Sequence, residues 1–279
     1  KQFRVVDEAT QQNFLREAAA LALTRHESLP DIHEVGVLKG VPYLVLEYVQ
    51  GSNLQALIDH GGLTEAEVIR LGVEVAGALI EFHDAGLLRR DIKPSNLMRA
   101  IDSTFKLIDY GLATGLDLGK SEDFAGTFAY AAPEQSGVLE QPVDSRSDLY
   151  ALGVTLFQAA TGKLPYSSSD VAELLRMHAT APIPDVREHR PFSSGLSAVI
   201  KKLMAKDPED RYQSADALQA DLNRIDEISQ REDDGDRFRL GCLDRRFRTT
   251  RYQVASPGYV AELQAAWARV RSQKGGVIV

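Results

Sequence analysis

The chain has 279 residues with 44% hydrophobic and 26% charged content, enough to bury a sizeable core, which excludes disorder throughout. Its formal net charge of −8 leaves no global basic field for a phosphate backbone and argues against nucleic acid as the main partner. One cysteine, Cys242, cannot form an internal disulfide, and no apolar window is long enough to span a membrane, so we expect a reducing, cytoplasmic setting.

The residue pattern of the N-terminal part of the chain predicts one helix and two strands. Apolar residues at helical spacing indicate an amphipathic helix over residues 8–25. Runs of β-branched and aromatic residues indicate strands over Ile32–Leu38 and Tyr43–Val49. Residues 39–42 have a turn-forming composition, so the two strands are expected to lie side by side.

A long helix and a second hairpin follow. Thr64 and Glu67 form a capping box ahead of an apolar stripe, which predicts a helix that begins there and ends near Gly86. Two short apolar runs, over residues 97–98 and 105–108, flank a polar turn. This pattern predicts a small hairpin.

Helical periodicity dominates the second half of the chain. It predicts helices over residues 147–162, 170–180, 196–206 and 214–228. Because a few strands come first and helices follow, the predicted fold class is α+β, with a small sheet lobe and a larger helical lobe.

The most informative segment is residues 89–96, and an Asp-Tyr-Gly triplet begins 13 positions after its final asparagine. Asp91 can orient a hydroxyl and accept its proton, and Lys93 can neutralise a γ-phosphate. The amide oxygen of Asn96 and the carboxylate of Asp109 can hold Mg²⁺, which needs few protein ligands. These residue types at this spacing suit phosphoryl transfer.

These residues resemble the catalytic loop and the metal-binding triplet of the eukaryotic-like Ser/Thr protein kinases of bacteria. The resemblance covers roughly residues 1–225 and includes Tyr130-Ala131-Ala132-Pro133-Glu134, which resembles the end of the family's activation loop. It implies a bilobal protein-kinase fold with a partial, β-rich small lobe and a mostly helical large lobe. It also implies transfer of the γ-phosphate of ATP to a serine or threonine of a protein substrate in signalling, with ATP and Mg²⁺ as cofactors.

The resemblance implies a nucleotide site as well. Glu17 stands where the family has a glutamate that pairs with the nucleotide-anchoring lysine, and Lys1 would be that lysine. The other implied members are the gatekeeper Leu46, Glu47 and Val49 with backbone groups for adenine, and Met98.

Further roles are implied on the substrate side of the loop. Thr127 would hydrogen-bond near Asp91 and Lys93 and help to seat the substrate. Glu134 would form a structural pair with Arg211. Both roles are typical of kinases that act on proteins.

Arg89 departs from the family pattern. Histidine normally stands there and packs into an apolar stack, so an arginine is expected to turn outward or to find an acid. Asp148 would fix the backbone of the same loop. Arg89 keeps open an alternative function, a pseudokinase or nucleotide-binding module that regulates a downstream domain without transferring phosphate. A small-molecule phosphotransferase is a more distant alternative, because Ala132-Pro133-Glu134 with Arg211 points to a protein-substrate platform.

The domain organisation is predicted from composition and resemblance together. We divide the chain into a partial small lobe (1–50), a large lobe (51–228), a charged linker (229–257) and the beginning of a second domain (258–279). No Gly-x-Gly-x-x-Gly occurs, so the strands that cover the phosphates are expected to precede Lys1, and the chain as given is expected to be weak or inactive. Residues 258–279 resemble the entry to the ATPase module of some large bacterial signalling proteins; the alternative is a helix and strand that merely close the tail.

Overall fold

The molecule is known as a computed structural model. It describes residues 14–15, 18, 21–22, 24–38, 41–89, 91–108, 128–136, 141–229, 240–241 and 243–244. Contacts divide the chain into a unit of residues 1–245 and a unit of residues 246–279, and every described residue belongs to the first.

The first sheet is an antiparallel hairpin of β1 (Ile32–Leu38) and β2 (Val41–Leu46). β1 has the predicted bounds, whereas β2 begins two residues before Tyr43 and ends three residues before Val49. The second strand ends early because Leu46 is paired with Ile32, the first residue of its partner. The hydrophobic pattern alone could not locate this end, since Tyr48 and Val49 are good strand formers.

The described positions of the preceding helix, at residues 14, 15, 18 and 21, are helical as predicted. The predicted end at residue 25 is wrong, because Ala22 lies in a turn and Thr24 is outside the helix. The backbone N–H and the Oγ1 of Thr24 both donate to Leu21 O, at 3.0 and 2.7 Å. A threonine side chain thus helps to end the helix by binding a terminal carbonyl.

The second sheet has three antiparallel strands in the order β3 (Gly51–Asn53), β4 (Leu97–Ala100) and β5 (Phe105–Leu107). β4 and β5 form the hairpin predicted from the sequence, with Leu97 paired to Leu107. A short helix, α1 (Leu54–Asp59), continues directly from β3 and buries Leu54 and Ile58.

Two long helices build the large lobe. The first, α2 (Glu65–Asp84), begins at Thr64 with both hydrogen bonds of the predicted capping box. The second, α3 (Ser145–Thr161), buries fourteen of its seventeen residues and therefore lies inside the core on all sides. It ends at Gly162, whose φ of 76° is a left-handed conformation that glycine adopts without strain.

Three further helices complete the described part of the large lobe: α4 (Val171–Thr180), α5 (Ser194–Leu203) and α6 (Ala215–Ser229). Short 3-10 turns lie at Pro94–Asn96, Pro133–Ser136, Val186–Glu188 and Pro208–Asp210. The core is one apolar cluster with members in α1 to α6 and in β2, β4 and β5. None of the helices in the described ranges is long and apolar enough to cross a membrane.

A segment beyond α6 returns to the large lobe. Gly241 N–H donates to Asp221 Oδ2 on α6 at 2.6 Å. The Asp244 carboxylate accepts from Gln213 N–H at 2.9 Å and pairs with Lys202 on α5 at 2.8 Å. Part of the range predicted as a linker is therefore attached to the large lobe.

Candidate active site

The loop that leads to Asp91 is fixed to α3 through its backbone. The buried Asp148 accepts from the backbone N–H of Arg89 at 2.9 Å, through Oδ2. His83, near the end of α2, places Nε2 3.0 Å from the same oxygen. Further along α3, Thr155 Oγ1 donates to Ile92 O at 3.3 Å. The expected role of Asp148 is confirmed. Asp148 and Thr155, both on α3, hold the loop backbone on either side of Asp91.

Arg89 does not turn outward. Its residue surface is 2% exposed, and its guanidinium carbon lies 4.9 Å from the centre of the Phe82 ring. Of the two expected placements, the outward turn is therefore wrong, because a guanidinium can stack on an aromatic face where a histidine ring would pack. The other, an acidic partner for Arg89, stays a prediction. The backbone N–H of Arg89 donates to Asp148, so the loop is anchored to α3 at this residue.

Asp91, Lys93 and Asn96 lie in contact with one another. Lys93 Nζ is 3.0 Å from Asp91 Oδ1, and Asn96 Nδ2 donates to Asp91 Oδ2 at 2.8 Å and to Asp91 O at 2.9 Å. The side chains of Asp91 and Lys93 are 24% and 20% exposed, so both can still reach a ligand. Asn96 is buried, and because Asp91 uses its amide nitrogen, its oxygen remains to ligate a cation.

The end of β5 lies beside this cluster. Ile108 N–H donates to Asn96 O at 2.9 Å, so the chain reaches Asn96 at the position before the predicted metal ligand Asp109. Asp109 itself lies outside the described residues, as do Lys1, Glu17 and Thr127.

Leu46, the predicted gatekeeper, is the last residue of β2, and the segment after it carries the predicted adenine contacts Glu47 and Val49. Lys106 Nζ donates to the two carboxylate oxygens of Glu47 at 3.0 and 2.9 Å, and this hydrogen bond holds the pKa of Glu47 below its usual value. Glu47 N–H donates to Asp31 O at 2.8 Å. The backbone group that Glu47 can offer a ligand is therefore its carbonyl.

Met98, the remaining predicted nucleotide contact, is partly buried on β4. Its register partner on β5 is Lys106, the residue that binds Glu47. Lys106 therefore connects the hairpin that carries Met98 to the segment that carries Glu47.

The substrate side of the loop is built on a buried ion pair. Arg211 donates through both terminal nitrogens to Glu134, at 2.6 and 2.8 Å, and both side chains are at most 1% exposed. Ser147 Oγ adds a third bond to Glu134 at 2.6 Å. Burial alone raises the pKa of the Glu134 carboxyl, but Arg211 and Ser147 outweigh it and hold the pKa below its usual value. The predicted pair is confirmed.

Tyr130 connects the segment that carries Glu134 to α3 and to the Asp91 cluster. Its hydroxyl donates to Gln158 Oε1 at 2.5 Å. Burial raises the pKa of Tyr130 strongly, and the nearby negative charge of Asp91 adds to the shift. The tyrosine therefore stays neutral beside the carboxylate.

The protein kinase domain family matches residues 1–222, most of the chain. The chain belongs to the protein kinase family. It is 33% identical over 223 residues to the serine/threonine-protein kinase PknB of Mycobacterium tuberculosis, a match that covers 76% of this chain and 35% of PknB. A probable serine/threonine-protein kinase of Clostridium acetobutylicum is 33% identical over 224 residues, covering 78% of this chain and 34% of the relative.

Solved kinase structures share the fold. The PknI kinase domain of Mycobacterium tuberculosis superimposes with a TM-score of 0.61 and 27% identity, over 79% of this chain and 81% of that domain. The predicted bilobal α+β kinase fold is thereby confirmed, and the chain contains a catalytic domain of the bacterial Ser/Thr kinase type. It spans about a third of the length of the curated relatives that it matches.

The donor set of this kinase loop suits a magnesium nucleotide. Asn96 offers a hard amide oxygen, Asp91 a carboxylate and Lys93 a positive charge. Within the described ranges, no group of three or more His, Cys, Asp or Glu could hold a metal by itself. The oxygen donors of Asn96 and Asp91 suit Mg²⁺, which takes one or two protein ligands and completes its coordination with water and substrate phosphates.

Several residues of the kinase site were not found by sequence reasoning. His83, Thr155 and Lys106 fix the loop and the segment after β2 through contacts between residues 59 to 65 positions apart. Asn53 carried one usable signal, because an asparagine before an apolar helix start is typical of an N-cap. No signal in the sequence indicated that the Asn53 side chain would bind Ser95 O, at 2.8 Å.

Proposed function

We propose that the protein transfers the γ-phosphate of ATP to serine or threonine residues of a protein substrate, with Mg²⁺ as the metal. The observation that carries the proposal is the Asp91 carboxylate, held by Lys93 and Asn96 in a loop that Asp148 and Thr155 anchor from below. Membership of the protein kinase family, and the serine/threonine kinases among its relatives, support it.

Asp91, Lys93 and Asn96 each have a task in the proposed reaction. Asp91 orients the substrate hydroxyl and accepts its proton, and Lys93 places its positive charge beside the group that is transferred. Asn96 holds the metal through its amide oxygen while its nitrogen keeps Asp91 in place. Positioning and charge neutralisation are nearly all that this reaction requires of a protein, and Mg-ATP supplies the phosphoryl group when bound.

Other site residues belong to the proposal on the strength of the family resemblance. Asp109 is proposed as the second metal ligand and Thr127 as the residue that seats the substrate. The proposed nucleotide contacts are Lys1, Glu17, Leu46, Glu47, Val49 and Met98. The fixed Glu47 side chain and its engaged N–H support the Glu47 carbonyl as the group that this residue offers to adenine.

A pseudokinase is the second candidate, and Arg89 is the observation that favours it. A buried positive charge in the catalytic loop is unusual because a desolvated charge is costly. The bond from Arg89 N–H to Asp148 argues the other way, since the loop keeps its anchor despite the substitution.

The setting of the whole protein is also proposed. A kinase that uses ATP works where ATP is present, so we propose a cytoplasmic catalytic unit. We further propose that residues 258–279 begin a second domain, an ATPase module. The sequence of the parent protein after residue 279 tests this, because an ATPase module requires a P-loop there.

The experiment for the kinase proposal uses the full-length protein with ATP labelled at the γ-phosphate, Mg²⁺ and a serine- and threonine-containing protein. We expect labelled phosphoserine or phosphothreonine after acid hydrolysis, and loss of labelling when Mg²⁺ is chelated. Tight ATP binding without any labelled protein would favour the pseudokinase. Label found only in a small molecule would exclude a protein kinase.

A further inference from the structure

The 3-10 turn between Lys93 and Asn96 is held by its carbonyl groups. Lys93 O accepts from Asn96 N–H at 2.9 Å, and Pro94 O accepts from Leu97 N–H. Asn96 O accepts from Ile108 N–H. These three bonds are made by backbone donors, as expected for groups that must be satisfied on folding.

The fourth carbonyl, that of Ser95, is bound by a side chain from elsewhere. Asn53 Nδ2 donates to Ser95 O at 2.8 Å, across 42 positions of the sequence. Ser95 lies between Lys93 and Asn96, which are the two residues that contact Asp91. Asn53 therefore closes the set of bonds that holds the turn.

Asn53 is itself rigidly placed. Its Oδ1 accepts from Gln55 N–H at 2.8 Å and caps α1. Asn53 is also the last residue of β3, where it is paired with Met98 of β4. At the start of β3, a Cβ on Gly51 would lie 2.0 Å from Arg99 O, so this strand approaches β4 as only glycine allows. The Asn53 side chain is thus oriented before it meets Ser95, and little conformational freedom is lost in that bond.

We propose that Asn53 is a positioning residue, which couples the segment after β2 to the catalytic loop by holding the Ser95 carbonyl. The inference rests on the proposed kinase function and deepens it. Asn53 follows Val49, a proposed adenine contact, by four positions. A shift of the nucleotide-binding segment is therefore transmitted to the turn that holds Asp91 and Asn96.

The chemistry of one side chain allows the two roles of Asn53 to be separated. Asn53→Asp and Asn53→Ser keep an oxygen that can cap α1, because Asp, Ser and Asn are comparable N-caps. Both remove the amide donor to Ser95 O, and the serine variant does so without adding charge. Gln55→Ala is the matched control, since it loses a hydrogen bond to Asp59 on the same helix without touching the loop.

Two readouts on the full-length protein test the proposal. The first is hydrogen exchange of the Asn96 and Leu97 amides, whose bonds report on the turn and need no activity. The second is kcat and the KM for ATP. In both Asn53 variants we expect the two amides to exchange about two- to ten-fold faster and kcat to be about two- to ten-fold lower. The KM for ATP and the melting temperature should stay near those of the unsubstituted protein. Gln55→Ala should change neither the exchange nor kcat.

The outcomes are distinguishable. Unchanged exchange and kcat in both variants would overturn the link. A raised KM for ATP with unchanged exchange and kcat would also overturn it, because Asn53 would then contact the nucleotide directly. A parent protein no faster than its Asp91→Asn variant would sink the proposed function, while accelerated exchange would still support the link between Asn53 and the turn.

Discussion

Two carboxylate–cation pairs in the large lobe share a chemistry and differ in their surroundings. Asp91 and Lys93 make one contact at 3.0 Å, and their side chains are 24% and 20% exposed. Glu134 and Arg211 make two contacts, at 2.6 and 2.8 Å, and are at most 1% exposed. The first pair can exchange its partners for a ligand, and the second cannot.

The difference shows which pair serves structure and which serves chemistry. A buried pair that loses one partner leaves an uncompensated charge without water, which is strongly destabilising. A part-exposed pair loses little, because solvent takes over the interaction. Substitutions at the two pairs should therefore have different effects. Replacing Glu134 should lower the stability of the protein, and replacing Asp91 should lower its activity.

The largest expected effect on stability is that of Glu134→Ala. It leaves the Arg211 guanidinium buried and removes three short hydrogen bonds, so we expect the free energy of unfolding to fall by about 3–5 kcal/mol. Urea denaturation of the purified protein measures this directly.

The chain provides a matched control. Glu173 and Arg176 on α4 form the same two-contact Glu–Arg pair, both contacts at 2.7 Å, but their side chains are 44% and 63% exposed. Glu173→Ala should leave the free energy of unfolding nearly unchanged, because solvent takes over the interaction of an exposed pair. Equal losses in the two variants would show that burial does not separate the pairs.

A pH titration sharpens the comparison. The Arg211 guanidinium lies over the Tyr150 ring, and the Tyr150 hydroxyl is 2.8 Å from His178 Nδ1. Burial, with the charge of Lys206, lowers the pKa of His178 from 6.5 to about 4. Between these values the unfolded chain binds a proton that the folded protein does not, so stability is full above pH 6.5 and falls as the pH drops.

At pH 5 this linkage should cost about 2 kcal/mol of unfolding free energy relative to pH 7. The measurement is urea denaturation across this range, compared between the parent and His178→Gln. The variant should lose most of the dependence between pH 6.5 and 4. A parent with the same stability at pH 5 and pH 7 would show that His178 titrates freely.

A smaller loss of stability than that of Glu134→Ala is predicted for the segment that returns to the large lobe. Asp244→Ala removes the ion pair with Lys202 and the bond from Gln213 N–H, so we expect a loss of about 1–2 kcal/mol. Leu243→Ala, at a 60% exposed neighbour, should cost little. No loss in Asp244→Ala would mean that the segment detaches in solution and is the linker predicted from composition.

Local signals predicted much of the fold. The capping box at Thr64 and Glu67 and the hairpin around Leu97 and Phe105 depend on neighbours in sequence, and both were confirmed. The predicted end of β2 was wrong, because the actual end is set by the length of the partner strand. Strand ends of this kind depend on tertiary pairing, which no local pattern contains.

The candidate site divides in the same way. Asp91, Lys93 and Asn96 lie within six residues, so the chemistry of their types could be recognised from the sequence alone. The position of Arg89 depends on the Phe82 face and on a bond to Asp148 across 59 positions. An arginine that replaces a histidine could therefore not be placed without the packed structure.

Phosphate transfer and unfolding, measured on the same samples of the parent and Asp91→Asn, test the central claim most directly. With Mg-ATP and a protein substrate, we expect kcat to fall by about 10²- to 10⁴-fold, because the base that orients the hydroxyl is lost. The free energy of unfolding should change by no more than about 1 kcal/mol, because the lost pair is part-exposed. Equal turnover by Asp91→Asn and the parent would contradict the account, as would a loss of activity that only follows a loss of stability.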